Sequence, residues 1–297
     1  MTRTILSIIL APLLAAAVGL LFMGISRKIM ARIHWRYGPP LLQPVIDIIR
    51  LLTQRGFSHG GMFDLGLVLS LAGAVTVVLF IPFGGWCALC GSGGLLVILY
   101  LMLLMPLGIA LSGGAGGNPN TSIGISRKLI LALGYEVPFL FIVLAVMDHY
   151  GTISLARVVE LQRESGWALF SWPLCVPGAA YLLILPAVMG TRPFDMAGAP
   201  QEISSGPMVE YAGQYLALAH LQHAFAIFVA LAMFVNMFLG GAPEPVTFIL
   251  KMLVVFTGGV LVHASFPRFR VEQAIGYLWR WPTALAFLGL VATVASR

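Results

Sequence analysis

Eight stretches of this 297-residue chain are each long and apolar enough to cross a bilayer, which leaves the fold little freedom. They lie near residues 4–26, 64–83, 94–113, 129–148, 172–190, 216–240, 246–266 and 282–297, and a spanning helix needs about 20 apolar residues. A backbone in lipid must satisfy its own N–H and C=O groups, so such runs become helices. The expected fold class is therefore all-α: residues 1–297 form a single polytopic membrane domain of about eight transmembrane helices. Composition agrees, because only 9% of residues are charged where a soluble domain has about a quarter. The run Ile5–Ile25 is too long for a signal-peptide core and is followed by Arg27 and Lys28, so it reads as the first span. No internal repeat is visible, which leaves an inverted-repeat transporter without support.

The net charge of +6 belongs to orientation, not to nucleic acid. Segments 27–63, 113–128, 190–215 and 267–281 hold six, two, one and three Lys or Arg, against one, two and one for the N-terminus, the alternate loops and the C-terminus. The positive-inside rule then puts the N-terminus outside and the segment 190–215 in the cytoplasm, in a multi-pass protein of the cytoplasmic membrane.

Between the fifth and sixth apolar runs lies MGTRPFDMAGAPQEISSGPMVEYAGQY, residues 189–215, with three of the eleven acidic residues. Asp195, Glu202 and Glu210 would share a face of a continuous helix, but Pro193, Gly198, Pro200, Gly206 and Pro207 forbid one. A folded loop is expected, in which carboxylates held away from water can exchange protons near neutrality. The same spacing fits an ordinary solvated loop equally well.

Elsewhere polar groups are sparse. Residues 41–54 read as an amphipathic helix lying in the membrane plane, with Gln43, Asp47, Arg50 and Gln54 on one face. Glu136 lies within the fourth span, about 13 Å along the axis from Arg127, and an ionisable group at that depth is a proton-relay candidate or half of a structural pair. His220 and His223, one turn apart, make a poor metal site without a third ligand and fit a hydrogen-bonded or proton-shuttling pair better. Cys87 and Cys90 read as two small residues at a helix end, with a disulfide as the second option, and Cys175 as packing. Asp148 and Lys251 fall near span ends and are expected to snorkel to water.

Four segments, SRKIMARIHWRYGPPLLQPVIDIIRLL, GISRKLILALGYEVPF, TRPFDMAGAPQEISSGPMVEYAG and PRFRVEQ, occur in that order between residues 26 and 273. They resemble the membrane subunit shared by respiratory complex I, where it is NADH dehydrogenase subunit 1 or the H subunit, and the energy-converting [NiFe] hydrogenases. The compact GPPLLQP resembles the hydrogenase branch, the Ech-type B subunit, since the complex I members usually carry a longer GP-x-x-x-GP-x-G-LLQP. Met189-Gly-Thr191-Arg192 stands where complex I usually has Glu-Thr-Asn-Arg, and His223 aligns with a complex I glutamate.

The resemblance implies a membrane anchor that couples a hydrogenase reaction to H⁺ or Na⁺ movement. It implies Glu136, Asp195, Glu202, Glu210, His223, Arg127 and Arg192 as coupling residues, and Arg36, Asp47, Arg50, Arg268, Arg270 and Glu272 as a docking surface. It also implies a [NiFe] centre and [4Fe-4S] clusters in partner subunits, with no cofactor or metal bound by this chain. The implied partners are hydrogenase large and small subunits and a ferredoxin-like iron–sulfur subunit on the cytoplasmic side, an antiporter-like membrane subunit, and lipid. The quinone-site NADH dehydrogenase subunit 1 of a complex I and a stand-alone ion transporter or channel are the alternatives.

Overall fold

The computed structural model describes the backbone of residues 2–90 and 93–296, with side chains from Leu6 onward. Among them the chain is all-α and contains no strand, as an all-α polytopic membrane protein requires. In order come α1 (Thr2–Ile33), α2 (Gln43–Leu52), α3 (Gly61–Phe80), α4 (Leu95–Gly114), α5 (Pro119–Tyr150), α6 (Leu155–Ser165) and α7 (Cys175–Val188). Then follow α8 (Pro200–Ile203), α9 (Gln214–Phe238), α10 (Pro245–Ser265) and α11 (Val271–Ala295). Seven of these are long and apolar enough to cross a membrane, and α7 is a shorter apolar helix of 14 residues.

Three elements depart from the apolar-run boundaries. The run at 172–190 contracts to α7 because Pro173 lies before the helix and Gly190, at φ +65, turns the chain just after it. Helix α5 starts at Pro119, ten residues before the run, because the Asn118 side chain accepts the Asn120 N–H (3.0 Å) and proline suits the first turn. Arg127 and Lys128 therefore sit two turns inside the helix. Helix α11 starts at Val271 and passes through Pro282. Proline removes the N–H that would bond the Leu278 carbonyl, and the Thr283 hydroxyl donates to that carbonyl instead, at 2.9 Å. The amphipathic α6 has no counterpart among the elements expected from the sequence.

The core is organised on α9, which packs against α1, α2, α3, α6, α7 and α10. From Ala224 to Phe238 all but Ala226 are buried, and a helix apolar all round belongs at the centre of a bundle. Tyr181 of α7 donates from its hydroxyl to the Ala230 carbonyl of α9, at 2.9 Å. Helices α3 and α4 approach closely at Gly66 and Gly108, where a Cβ would strike the facing backbone at Ser112 and Ser70.

Helix α2 lies across α1 and α9, burying Pro44 and Ile48. Its Asp47 pairs with Arg27 of α1 (3.2 Å) and accepts from Gln43 (2.8 Å), a contact between helices. The exposed side shows Ile46, Ile49 and Leu52 together with Arg50.

At the end of the molecule opposite α2, a disulfide joins Cys87 to Cys90, the second of the two readings, in place of two small residues at a helix end. There the last turn of α9 is capped by side chains. Gln162 of α6 donates to the carbonyls of Asn236 and Met237 (2.9 and 3.0 Å) and accepts from the N–H groups of Ala168 and Gly240 (3.3 and 2.9 Å). Lys251 is part-buried and bound to backbone: its Nζ donates to the carbonyls of Leu239 and Gly241, both at 2.6 Å, and lies over the Trp167 ring.

Candidate functional site

Residues 189–215 fold as a loop with two short helical turns, α8 and a 3₁₀ turn at Gly206–Glu210. Ser204, Ser205 and Gly206 all take positive φ (51, 76 and 54°), which reverses the chain sharply between those turns. The α10–α11 and α2–α3 connections and helix α5 are all fastened to the loop. From the α10–α11 connection, the Phe269 N–H donates to the Pro193 carbonyl (2.9 Å), and Phe194 packs on Phe269 and Tyr277. Arg268 reaches Asp195 (3.1 Å) and lies 3.9 Å from Glu202, which is bonded to Arg127 of α5 at 2.7 Å. From the α2–α3 connection, His59 pairs with Glu210 (3.1 Å), and the Gln214 N–H donates to the Gln54 carbonyl (3.2 Å). From α5, the Thr121 hydroxyl donates to Glu210 at 3.4 Å.

These ion pairs are not equivalent. The Glu202 carboxyl is held below its ordinary value of 4.5, first by the hydrogen bond from Arg127 and then by the charges of Arg127, Arg268 and Arg270. Glu210 is tucked against Gly116, where a Cβ would come within 2.6 Å of its carboxyl carbon. Glu210 ends the 3₁₀ turn, and Gly213, at φ +51, intervenes before α9 begins at Gln214.

Beneath the loop is a cavity of about 380 Å³ lined by α1, α4, α5, α7 and α9. Its polar lining is Asp195, Lys128, Tyr135, Ser205, His220, Gln222 and His223, and five methionines, Met102 and Met105 among them, line it as well. Asp195 is engaged by Arg268, but among the described residues no hydrogen bond reaches the side chains of Lys128, His220, Gln222 or His223. Gln222 is 4% exposed, and a buried amide needs partners. The cavity is thus rich in donors that the protein itself leaves free for water or a ligand.

The coupling residues expected from the sequence divide between several places. Asp195 and His223 meet at the cavity, and Glu202 and Arg127 pair above it. Arg192 is exposed, its backbone N–H donating to His263 at 2.8 Å. Glu136 does not line the cavity; it is half-buried on α5 beside the exposed Leu133 and Val137. Among the docking residues, Arg36, Arg50, Arg270 and Glu272 are exposed, whereas Asp47 and Arg268 are engaged inside the chain. Arg268 is 14% exposed because it bridges two carboxylates.

Sequence reasoning leaves Lys128, Tyr135 and Gln222 unassigned. The i, i+7 spacing of Lys128 and Tyr135 puts both on the helix face that carries the cavity, a signal that the sequence does contain. His59 gives no signal, since its partner is far along the chain. Among the described residues no group of three His, Cys, Asp or Glu is placed to hold a metal ion.

Comparison with known proteins agrees with this architecture. The family description "NADH dehydrogenase" matches residues 5–294. The NADH-quinone oxidoreductase H subunit of Acidovorax sp. (strain JS42) is 30% identical, over 95% of this chain and 87% of the relative. Its counterpart from Protochlamydia amoebophila (strain UWE25) is 29% identical, over 91% and 90%. Among solved structures, a chain of the membrane-bound sulfane sulfur reductase, an archaeal respiratory membrane complex, superposes with a TM-score of 0.93. It is 36% identical, and the match covers 98% of this chain and 99% of that one.

Proposed function

The chain belongs to the NADH dehydrogenase subunit 1 family of membrane subunits of oxidoreductase complexes, and from that premise we propose that it is the anchor and coupling subunit of an Ech-like, ion-translocating complex. In this reading the basic end faces the cytoplasm and carries a soluble redox arm with iron–sulfur clusters and a [NiFe] or related centre. Ferredoxin-linked electron transfer in that arm is coupled here to H⁺ or Na⁺ movement. The observation that carries the reading is the near end-to-end match to the sulfane sulfur reductase chain, at higher identity than the Acidovorax and Protochlamydia relatives.

The geometry supplies a means of coupling. A redox arm seated on the loop brings its charge changes to Asp195, which is both a wall of the cavity and the partner of Arg268. An added negative charge nearby competes for the Arg268 guanidinium and loosens its pair with Asp195. Lys128 and His223, unbonded to protein among the described residues, are free to redistribute protons through cavity water. Glu136 lies further along α5 as a carboxyl within the span. No redox step is assigned to this chain.

A quinone-reducing complex I, with this chain as its NADH dehydrogenase subunit 1, is the second reading, favoured by the family description and the curated relatives. Purification through a tag on this chain separates the two. Co-purification of a nickel-containing subunit with ferredoxin-dependent hydrogen evolution supports the first reading, and reduction of sulfane sulfur would refine it to the sulfur branch. NADH-driven quinone reduction would replace it with the second. Ion transport by the isolated chain, without redox partners, would overturn both. Glu136→Gln should leave electron transfer in detergent intact and lower ion pumping in vesicles; full pumping would remove Glu136 from the coupling route.

A further inference from the structure

Helix α11 lies at the outside of the bundle. It packs on α5 and α7, with Gly134 of α5 against Leu278 and Pro177 of α7 against Gly289. Ala274, Leu278 and Pro282 mark its buried side. At about 100° per residue, Arg280 falls on the opposite side, with Trp279 and Trp281 on its two flanks. All three are exposed, the indoles by 57% and 65%. Among the described residues no hydrogen bond or ion pair reaches the Arg280 guanidinium.

The outward side of α11 changes its chemistry in layers. Glu272 and Gln273, about 12 Å before Arg280 along the axis, are exposed and polar. Past the tryptophans the exposed residues Leu288, Val291 and Val294 suit acyl chains. Tryptophan gathers where lipid headgroups meet hydrocarbon, so residues 279–281 stand at that boundary. The charge placed there has room to receive an anion. Helical side chains lean toward the helix N-terminus, which carries Arg280 over Gly276, one turn nearer the basic end. A Cβ at Gly276 would meet nothing within 4 Å, so the surface beneath the guanidinium is bare and open.

We propose that Trp279, Arg280, Trp281 and the bare backbone at Gly276 form a binding site for one anionic phospholipid. Arg280 holds the phosphate over Gly276, the two indoles flank the glycerol region, and the acyl chains run along Leu288, Val291 and Val294. A guanidinium gives phosphate two parallel hydrogen bonds, and an anionic leaflet draws arginine to its surface. Tyr277, three residues before Arg280, packs on Phe194 of the polar loop and on Phe269, so the lipid braces the part of α11 against which that loop rests. The site stands whichever redox arm the complex carries.

The complex, reconstituted in nanodiscs of zwitterionic phospholipid, can be doped with phosphatidylglycerol bearing a photo-reactive acyl chain. Adducts should concentrate on the α11 peptide 283–296, and a phosphatidylcholine probe with the same acyl chain should label it about fivefold less, the difference that one arginine makes at an anionic surface. Arg280→Gln should abolish this preference, while Arg280→Lys should keep part of it. Gly276→Leu should lower phosphatidylglycerol labelling by filling the space beneath the guanidinium with the charge left in place. Equal labelling by the two probes, unmoved by Arg280→Gln, would reduce the three residues to an unspecific interfacial belt and overturn the site. Absence of either lipid probe from α11, in a complex labelled elsewhere, would give this face to a neighbouring subunit and overturn it as well.

Discussion

The two ends of the molecule use polar side chains in opposite ways. At the end bearing the disulfide, Gln162 and Lys251 are committed to backbone groups: four hydrogen bonds made by one amide and two by one ammonium tie the last turn of α9 and the residues that follow to each other and to Ala168. At the basic end the charged groups of the loop pair with one another, and beneath them Lys128, His220, Gln222 and His223 face a cavity with no protein partner among the described residues. Polar groups spent on backbone fix a structure. Those left facing a cavity stay available to water, protons or a ligand, and this is why the functional reading belongs to the basic end.

That contrast can be broken by substitution. The largest loss of stability is expected from Gln162→Leu, because Gln162 is 1% exposed and its removal strands two N–H and two C=O groups. A cost of about 3 to 5 kcal/mol follows from the desolvation of stranded groups. Thermal unfolding in detergent should show it, and an unchanged transition would mean that water replaces the amide. Lys251→Met comes next, at about 2 kcal/mol, since two charge-assisted bonds and the Trp167 contact are lost at a partly exposed site.

Cavity substitutions should behave differently. Lys128→Met and Gln222→Leu remove groups with no protein partner among the described residues, so the transition should move by under about 0.5 kcal/mol, or rise. Ion pumping, measured in vesicles, should nevertheless fall; a destabilisation as large as that of Gln162→Leu would make the cavity groups structural and erase the contrast. The smallest effect is expected at Glu202, on the surface of the loop. Its carboxyl is held below 4.5, so the stabilising contribution of its pair with Arg127 is complete above that value and fades as pH falls through the lowered one. Comparing the parent with Glu202→Gln between pH 6 and pH 3 should show a stability difference that closes toward the acid end, and a difference that widens instead would refute the pairing.

The sequence by itself determined the number of apolar runs, the all-α membrane class, the family and the polar loop as the centre of interest. These follow from local properties, namely runs of apolar residues, proline and glycine that forbid a helix, and short motifs in order. Helix ends were less legible, because they depend on single side chains: Asn118 extends α5 backward, and Thr283 lets α11 continue through Pro282. Which charges meet was decided only by the tertiary structure. Arg268 and Asp47 look like free surface charges in the sequence, yet each closes a contact between segments distant along the chain, with Asp195 and with Arg27. Lys128 and Gln222 become notable only when five helices line a common cavity, and Glu136 leaves the cavity only when α4 and α11 fix which face of α5 stays open. The physical reason is that hydropathy acts residue by residue along the chain, whereas desolvation and pairing of a charge depend on what the fold brings within a few ångströms of it.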